Sequence, residues 1–375
     1  MHDFCDDALI WLCLRLEFWR NRRAAWYKLN DQNLTENIMN LRELAQLLNL
    51  SPTTVSRALN GFSDVSEKTR SKVAAAAERH GYRPNSTARK LALGRTDCVG
   101  MIYPLQPNDL NDPVFHAIVG GMTDQFNDAG IDLMLISADN HNELQTYQRI
   151  TAGHRVDGLI VARTCVFDER LRYLQSCQFP FVAHGRSQMD TPYPWFDYDN
   201  EAGTRAAVER LLVLGHQRIA LISAPLALNF AMQRKQGFVA AMQAASVVVD
   251  PALLQEGALT AQMGEALMYR LLKLSQRPTA VIVDNNLAAM GVLAALRQAE
   301  LRAGTDISLI VFGGVAPELA MGQNITAIRQ PDPREAGITL AALMLARLRG
   351  EDPASLQVLW PTLLQPGTSD QACLV

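Results

Sequence analysis

Beyond residue 96 the chain alternates short apolar runs with longer amphipathic stretches, and this pattern restricts the possible folds more than any other sequence feature. Runs of this type separated by helical stretches predict parallel sheets with helices on both faces. In such sheets a ligand binds beyond the carboxyl ends of the strands. The candidate strands span residues 99–103, 131–137, 158–162, 179–183, 219–223, 280–284, 309–312 and 327–330.

Three helical patterns precede this region. An apolar stripe at the spacing of one helix face runs from Leu41 to Leu48. Ser51 is suited to cap a second helix, and Pro52 suits its first position because no backbone N–H is needed there. A third helix is predicted over residues 67–80. Two short helices joined by about three residues form a helix-turn-helix, although other helical hairpins have the same spacing.

Charge is distributed unevenly along the chain. Residues 39–95 hold ten basic and four acidic side chains, whereas the whole chain carries a formal net charge of −3. A compact basic segment on an acidic body is typical of a protein that binds a polyanion, and a solvated charged surface is the alternative. On the second helix, the hydroxyls of Thr53, Thr54 and Ser56 suit phosphate oxygens. Arg57 can reach guanine O6 and N7, which favours DNA.

The composition excludes several classes of protein. Apolar residues make up 48% and charged residues 19% of the chain, so it is neither intrinsically disordered nor fibrous. No apolar run reaches the ~18–20 residues that a membrane span requires. The six cysteines show no Cys-x-x-Cys spacing, which is typical of unpaired thiols in a reducing cytoplasm. We therefore expect a cytoplasmic protein without a membrane partner, a metal, a cofactor or a catalytic residue, since no motif for them is present.

Three segments carry a resemblance to a known family. They are LRELA (residues 41–45), LSPTTVSRALNGFSDVSEKTR (residues 50–70) and GYRPNSTARKL (residues 81–91). From residue 41 to about residue 367 the chain resembles the LacI/GalR family of transcriptional regulators. The resemblance implies an all-α helix-turn-helix head and an α/β two-lobed sensor body like a periplasmic sugar-binding protein. It assigns base contacts to Pro52, Thr53 and Arg57. It assigns contacts with the DNA backbone to Ser51, Thr54, Ser56 and Asn60.

The resemblance also makes residues 84–96 a hinge that is helical only on DNA. The paired hinge helices of a dimer then insert Leu91, flanked by the basic Arg89, into the minor groove. Such a wedge unstacks a base step at a cost of roughly a few kcal/mol. An ordinary linker hydrophobe is the alternative for Leu91.

Residues at predicted strand and helix ends form the candidate effector site. His184 and Arg186 directly follow the fourth predicted strand, where polar side chains in this architecture line a cleft. Phe115 begins a helix that faces the same opening, with core packing as the alternative. The resemblance adds Arg234, which matches the family's effector-binding arginine, and Asn285, which matches an asparagine that binds sugar hydroxyls.

Three further effector contacts have a structural alternative. Asp199 matches a family motif and also suits a helix cap, while Trp195 can stack on a sugar ring or pack between lobes. Gly313 and Gly314 stand where the family usually has aspartates, so the cleft lacks an acceptor for sugar hydroxyls. Asp332 can supply the missing carboxylate, or it can be a turn residue between two prolines.

The chain is predicted to have five parts. An N-terminal extension has no counterpart in the family and no assigned role, and a mis-assigned start explains it better than an amphipathic membrane or nucleic-acid arm. Crossings between the lobes are expected near residues 191–195, near residues 317–323 and in the C-terminal region. The parts are the extension (1–38), the head (39–83), the hinge (84–96), the body (97–367) and a tail (368–375).

Together these features predict a DNA-binding repressor of a carbohydrate-utilisation operon that a small sugar or sugar phosphate releases from its double-stranded operator. A homodimer is expected because two-fold DNA half-sites require a two-fold protein. The alternatives are a sugar-dependent activator, a corepressor-dependent regulator, a free sugar-binding protein and an enzyme. Within the family, the segments around residues 184–186 and 194–199 are most similar to α-glucoside-type regulators.

Overall fold

The protein forms two compact units that divide after Gly94. We refer to the first unit as the head and to the second as the body. The computed structural model describes residues 39–82, 94–103, 112–138, 142–316, 319–320 and 322–373.

The described residues of the head, 39–82, form three helices, as predicted. Each helix begins after a residue whose side chain accepts a backbone N–H of the first turn, namely Asn40, Ser51 and Ser66. Leu44, Val55 and other apolar side chains from all three helices form one buried core. The helices are α1 (Leu41–Leu48), α2 (Pro52–Leu59) and α3 (Glu67–Arg79).

The first lobe of the body is a six-stranded parallel sheet. Its strands are β1 (Cys98–Tyr103), β2 (Asp132–Ser137), β3 (Gly158–Val161), β4 (Phe181–His184), β5 (Trp195–Tyr198) and β11 (Gln357–Trp360). They lie in the order β11-β5-β4-β3-β1-β2. The helices of this lobe are α4 (Pro113–Asp128), α5 (Glu143–Ala152), α6 (Glu169–Ser176) and α11 (Pro333–Leu348).

Buried strand residues point alternately to two faces, so both faces of this sheet need a helical cover. Met101 and Ile160 pack with α4 and α11 on one face. Ile102 and Leu159 pack with α5 and α6 on the other. This arrangement confirms the predicted doubly wound architecture.

The second lobe repeats the same plan. Its strands are β6 (Ile219–Ser223), β7 (Leu254–Glu256), β8 (Ala280–Val283), β9 (Ser308–Phe312), β10 (Thr326–Arg329) and β12 (Leu363–Gln365). They lie in the order β12-β10-β9-β8-β6-β7, and β12 pairs with β10 in the antiparallel direction. The helices of this lobe are α7 (Asn200–Val213), α8 (Asn229–Ala244), α9 (Ala261–Leu272) and α10 (Asn286–Gln298).

The chain crosses between the lobes at positions that differ from the prediction. The first crossing is at Asp199, between β5 and α7, and not near residues 191–195, because those residues lead into a fifth strand that pairs with β4. The second is at residues 330–332, between β10 and α11. Residues near 317–323 precede β10, which pairs with β9 and keeps the chain in the second lobe. The third crossing lies between β11 and β12.

The segment predicted as a tail is packed into the second lobe as far as Cys373. The Ser369 hydroxyl donates to the Leu309 carbonyl at 2.6 Å, and the buried Asp370 carboxylate bonds the Arg210 guanidinium at 2.7 Å. These buried polar contacts make the segment part of the lobe. Within the described ranges, no helix has the length and apolar character needed to cross a membrane.

Candidate functional site

Both ends of α2, the predicted reading helix, are fixed by short polar side chains. The Ser51 hydroxyl oxygen accepts the Thr54 N–H at 3.0 Å and lies 2.8 Å from the Thr54 hydroxyl. The Asn60 side-chain amide donates to the Ser56 carbonyl at 2.9 Å. These contacts order a helix whose N-terminal N–H groups and hydroxyls are suited to phosphate oxygens.

The three residues predicted to face bases all lie on the exposed side of α2. Pro52 and Thr53 are exposed on its first turn, and Arg57 is exposed near its end. The Arg57 guanidinium is already ordered: its Nη2 lies 2.7 Å from Asp64 Oδ2, and its Nε donates to Asp64 Oδ1 at 3.1 Å. It also lies over the Phe62 ring, 4.9 Å from the centroid.

The predicted hinge contacts, Arg89 and Leu91, lie outside the described residues. Their assignment to the minor groove stays a prediction.

In the body, a cleft of about 240 Å³ lies between the two lobes. It is bordered by the carboxyl ends of β1, β3, β4, β5, β8 and β9, where the architecture predicts a ligand. Drug-sized ligands commonly occupy sites of ~300–1,000 Å³, so this slightly smaller cleft suits a small ligand. Four residues predicted from the sequence line it, namely Phe115, His184, Arg234 and Asn285.

Arg234 is the most constrained charge in the cleft. It is 6% exposed and comes from α8, where its Nε donates to Asn200 Oδ1 at 2.9 Å and its Nη1 donates to the Asp284 carbonyl oxygen. The guanidinium lies between two rings, 3.4 Å from the centroid of Phe312 and 4.7 Å from that of Phe230. Burial lowers the pKa of Arg234 to about 10, so the guanidinium stays protonated at neutral pH.

The carboxyl end of β8 supplies an acid and an amide that are bonded to their own lobe. Asp284 Oδ2 accepts the Ala224 N–H at 2.9 Å, and burial raises the pKa of Asp284. The Asn285 amide donates to Asp284 Oδ1 at 2.9 Å and to the Ala258 carbonyl at 2.8 Å. Its oxygen accepts the Ala288 N–H at 2.8 Å. Asn285 therefore borders the cleft chiefly as a helix cap.

His184 presents an uncharged imidazole to the cleft. Burial lowers its pKa, although the Asp197 carboxylate acts in the opposite direction. The predicted contact Arg186 does not line the cleft, because its Nε donates to Asp197 Oδ2 at 2.8 Å. Asp197 also accepts from the Asn200 side chain at 3.3 Å. Arg186 thus holds the carboxylate beside the cleft, and its assignment as an effector contact stays a prediction.

Three other predicted effector contacts have structural roles in the body, and their assignment to the effector stays a prediction. Asp199 Oδ1 accepts the Ala202 N–H at 3.0 Å and caps α7. Asp332 Oδ1 accepts the Arg334 N–H at 2.8 Å and caps α11, so it has the role of a helix-capping turn residue. Trp195 packs with an apolar cluster of the first lobe. None of the three lines the cleft in the part of the chain that the structure describes.

Several cleft residues escaped the sequence analysis. Arg163 and Thr164 directly follow the third predicted strand (158–162), and Asp112 and Asn286 lie at the first turns of helices from opposite lobes. The Asn286 amide approaches Asp112 Oδ1 at 3.5 Å across the cleft. The same rule that selected His184, a polar residue directly after a strand, identifies Arg163 and Thr164.

The lobes also meet through their backbones at the rim of the cleft. The Val166 N–H donates to the Ala227 carbonyl at 2.9 Å, and the Asn229 N–H donates to the Thr164 carbonyl at 2.9 Å. Arg163, just before this bridge, has a φ of +51°, a conformation that non-glycine residues adopt at a cost. The cleft is therefore enclosed by ordered backbone on this side.

Comparisons with known proteins agree with this division into two sites. Residues 40–85 match the family "Bacterial regulatory proteins, lacI family", and residues 96–363 match "Periplasmic binding proteins and sugar binding domain of LacI family". The chain is 36% identical over 332 residues to the HTH-type transcriptional regulator RafR of Escherichia coli, an alignment that covers 88% of this chain and 98% of RafR.

Two solved structures extend the comparison to the fold. The Lac repressor dimer bound to operator and the anti-inducer ONPF matches with a TM-score of 0.74 and 27% identity, over 89% of this chain and 99% of that one. A complex of the transcriptional regulator CelR with cellobiose matches with a TM-score of 0.67 and 28% identity, over 88% and 99%.

A helix-turn-helix head and a two-lobed body with an interlobe cleft define a class of DNA-binding transcriptional regulators that are not enzymes. The chain belongs to the LacI family of bacterial regulatory proteins.

Proposed function

We propose that this regulator is a repressor of carbohydrate utilisation that binds operator DNA as a homodimer in the cytoplasm and is released by a small sugar. The observation that carries the proposal is the environment of Arg234. A guanidinium held between two phenylalanine rings, at the edge of a small cleft, offers hydrogen-bond donors beside apolar faces. Sugars present hydroxyls and apolar C–H faces, and ligand sites combine apolar walls with a few placed polar groups.

The contacts of Arg234 also provide a route from the ligand to the lobe crossing. Arg234 bonds Asn200, the first residue after the crossing at Asp199. Asn200 in turn donates to Asp197, which Arg186 holds from the first lobe. A ligand that bonds Arg234 therefore acts on a connected set of polar groups at the junction of the lobes. A ligand that changes the angle between the lobes thereby changes the affinity of the protein for DNA.

The DNA-binding part of the proposal rests on the exposed side of α2 and on the predicted hinge. In a dimer, two copies of Arg57 reach two half-sites about one helical turn apart, and the paired Leu91 residues enter the minor groove between them. Separation of the hinges by the sugar then weakens the complex.

The proposal is tested with the full chain. We expect selection from random-sequence duplexes to yield a palindromic site, and a screen of mono- and disaccharides and their phosphates to yield a compound that raises the melting temperature. The same compound should release the selected duplex. A sugar that binds and tightens the complex would instead make the protein a corepressor-dependent regulator. Absence of any sequence preference would contradict the proposal.

A further inference from the structure

The turn between α2 and α3 holds the predicted base-reading arginine in one orientation. Asp64, in this turn, accepts hydrogen bonds from the Nε–Nη2 side of the Arg57 guanidinium with both carboxylate oxygens. The Nε–Oδ1 distance is 3.1 Å and the Nη2–Oδ2 distance is 2.7 Å. Phe62, in the same turn, supports the guanidinium with its ring.

This orientation leaves the end of the guanidinium available. A guanidinium has five N–H groups in a planar fork, and a carboxylate on the Nε–Nη2 side uses two of them. The end formed by Nη1 and Nη2 keeps a parallel pair of donors. Two parallel donors are what guanine O6 and N7 require. The carboxylate can therefore remain in place while Arg57 reads a base.

The turn itself is fixed independently of Arg57's side chain. The Phe62 N–H donates to the Arg57 carbonyl at 3.1 Å, and the Phe62 carbonyl accepts from Arg70 of α3 at 3.2 Å. Val65 is buried in the core of the head. Asp64 thus lies between two anchored residues, so its carboxylate has a defined position.

The exposure of the pair indicates that it does not serve stability. The side chains of Arg57 and Asp64 are 45% and 53% exposed, and exposed ion pairs contribute little to folding. A carboxylate also repels the phosphates that the head approaches, so it opposes non-specific binding. The Asp64 carboxylate orients the flexible Arg57 side chain. A side chain that is ordered in advance loses less conformational freedom when it binds.

We propose that Asp64, supported by Phe62, is a specificity-determining residue that positions Arg57 to read one base pair of the operator. The inference rests on the proposed function, since it requires Arg57 to contact a base. Asp64 itself contacts no base and acts through Arg57.

The test measures base preference for each variant of the full chain, with duplexes selected by the wild-type protein from a random-sequence pool. We expect Asp64→Asn to lower the preference at one base pair by roughly tenfold, at the position where Arg57→Ala also lowers it. Asp64→Asn should have no further effect in the Arg57→Ala background. Asp64→Glu, which keeps the carboxylate, should recover part of the preference.

Glu67→Gln is the matched control, because Glu67 is an exposed acid of the same head that pairs with Arg70. It removes the same charge and should raise non-specific affinity as much as Asp64→Asn does, with base preference unchanged. Melting temperatures of all variants should stay close to that of the wild type.

Three outcomes would overturn the inference. If Asp64→Asn matches Glu67→Gln at every base pair, Asp64 does not position Arg57. If Asp64→Asn sharpens the preference, Asp64 restrains Arg57 instead of presenting it. If Arg57→Ala retains the full preference, Arg57 reads no base, and the proposed role of α2 fails together with the inference. The first two outcomes leave the proposed function intact.

Discussion

The proposed roles of the head and the body each centre on one arginine, and the two side chains are held in opposite ways. Arg57 in the head is 45% exposed and bonds a neighbouring carboxylate at the surface. Arg234 in the cleft is buried, lies between two rings and donates to a carbonyl and to an amide oxygen. A surface arginine can exchange water for a base edge at little cost to folding. A buried arginine is part of the lobe's structure, so its function and the stability of the body are linked.

The largest effect is expected from Arg234→Met. This change leaves the Asn200 oxygen and the Asp284 carbonyl without their donor in a buried site, so we expect a loss of about 3–5 kcal/mol in the free energy of unfolding of the body. Urea unfolding measures it. The sugar should also no longer release the selected duplex, although the folded variant still binds that duplex. Arg234→Lys keeps the charge and should lose less stability. A change below about 1 kcal/mol for Arg234→Met would show that both arginines behave as surface groups.

The corresponding change in the head, Arg57→Ala, should act on binding and not on folding. We expect a loss of ~1–3 kcal/mol in duplex affinity at one base-pair position. The free energy of unfolding should fall by less than about 1 kcal/mol, because the ion pair is exposed. Binding isotherms on single-base duplex variants measure the loss in affinity, and urea unfolding measures the change in the free energy of unfolding. Equal loss on every duplex would assign Arg57 to the phosphate backbone.

A backbone change tests whether the cleft is ordered before a ligand enters. Gly313 lines the cleft with a φ of +81°, and no heavy atom lies within 4 Å of an added Cβ. Gly313→Ala should therefore lose roughly 1–2 kcal/mol through backbone strain alone. Gly313→Asn should lose less, because asparagine tolerates this conformation better. Equal stability of all three proteins would indicate that the backbone relaxes.

The smallest effect concerns the pH dependence of the body. Burial lowers the pKa of His184 in the folded state, so the unfolded chain binds the proton more readily. The stability contributed by the neutral ring is present above the unfolded pKa of about 6.5 and is lost as the pH falls below it. His184→Gln should reduce this acid-side loss, as measured by melting temperature between about pH 7 and 5. An unchanged pH profile would contradict the burial of a neutral imidazole.

The fold could be predicted from sequence because its main elements have strong local signals. Caps such as Ser51 and Ser66 and buried strand runs do not depend on distant residues. The short strand β5 was missed because its four residues are defined by pairing with β4 and β11, and this placed the first crossing too early.

The candidate site could be predicted only where one element determines the direction of a side chain. His184 lines the cleft because a strand end places it there, whereas Arg234, which also lines it, was identified through the family resemblance. Asp199 and Asp332 occupy equally suggestive positions, but a helix N-terminus provides N–H donors that compete for a carboxylate. Arg186 directly follows a strand as well, but it bonds Asp197 on a neighbouring strand and does not line the cleft. A single sequence does not reveal which partner such a polar group takes.

The most direct test of the account is the mutual effect of sugar and DNA on the full chain. The affinity of the sugar identified by screening is measured with and without the selected duplex, and the affinity of the duplex with and without the sugar. If cleft and head are coupled, both affinities change by the same factor, about 5–150-fold. If the sugar binds equally well in both cases and leaves duplex affinity unchanged, the cleft does not control the head.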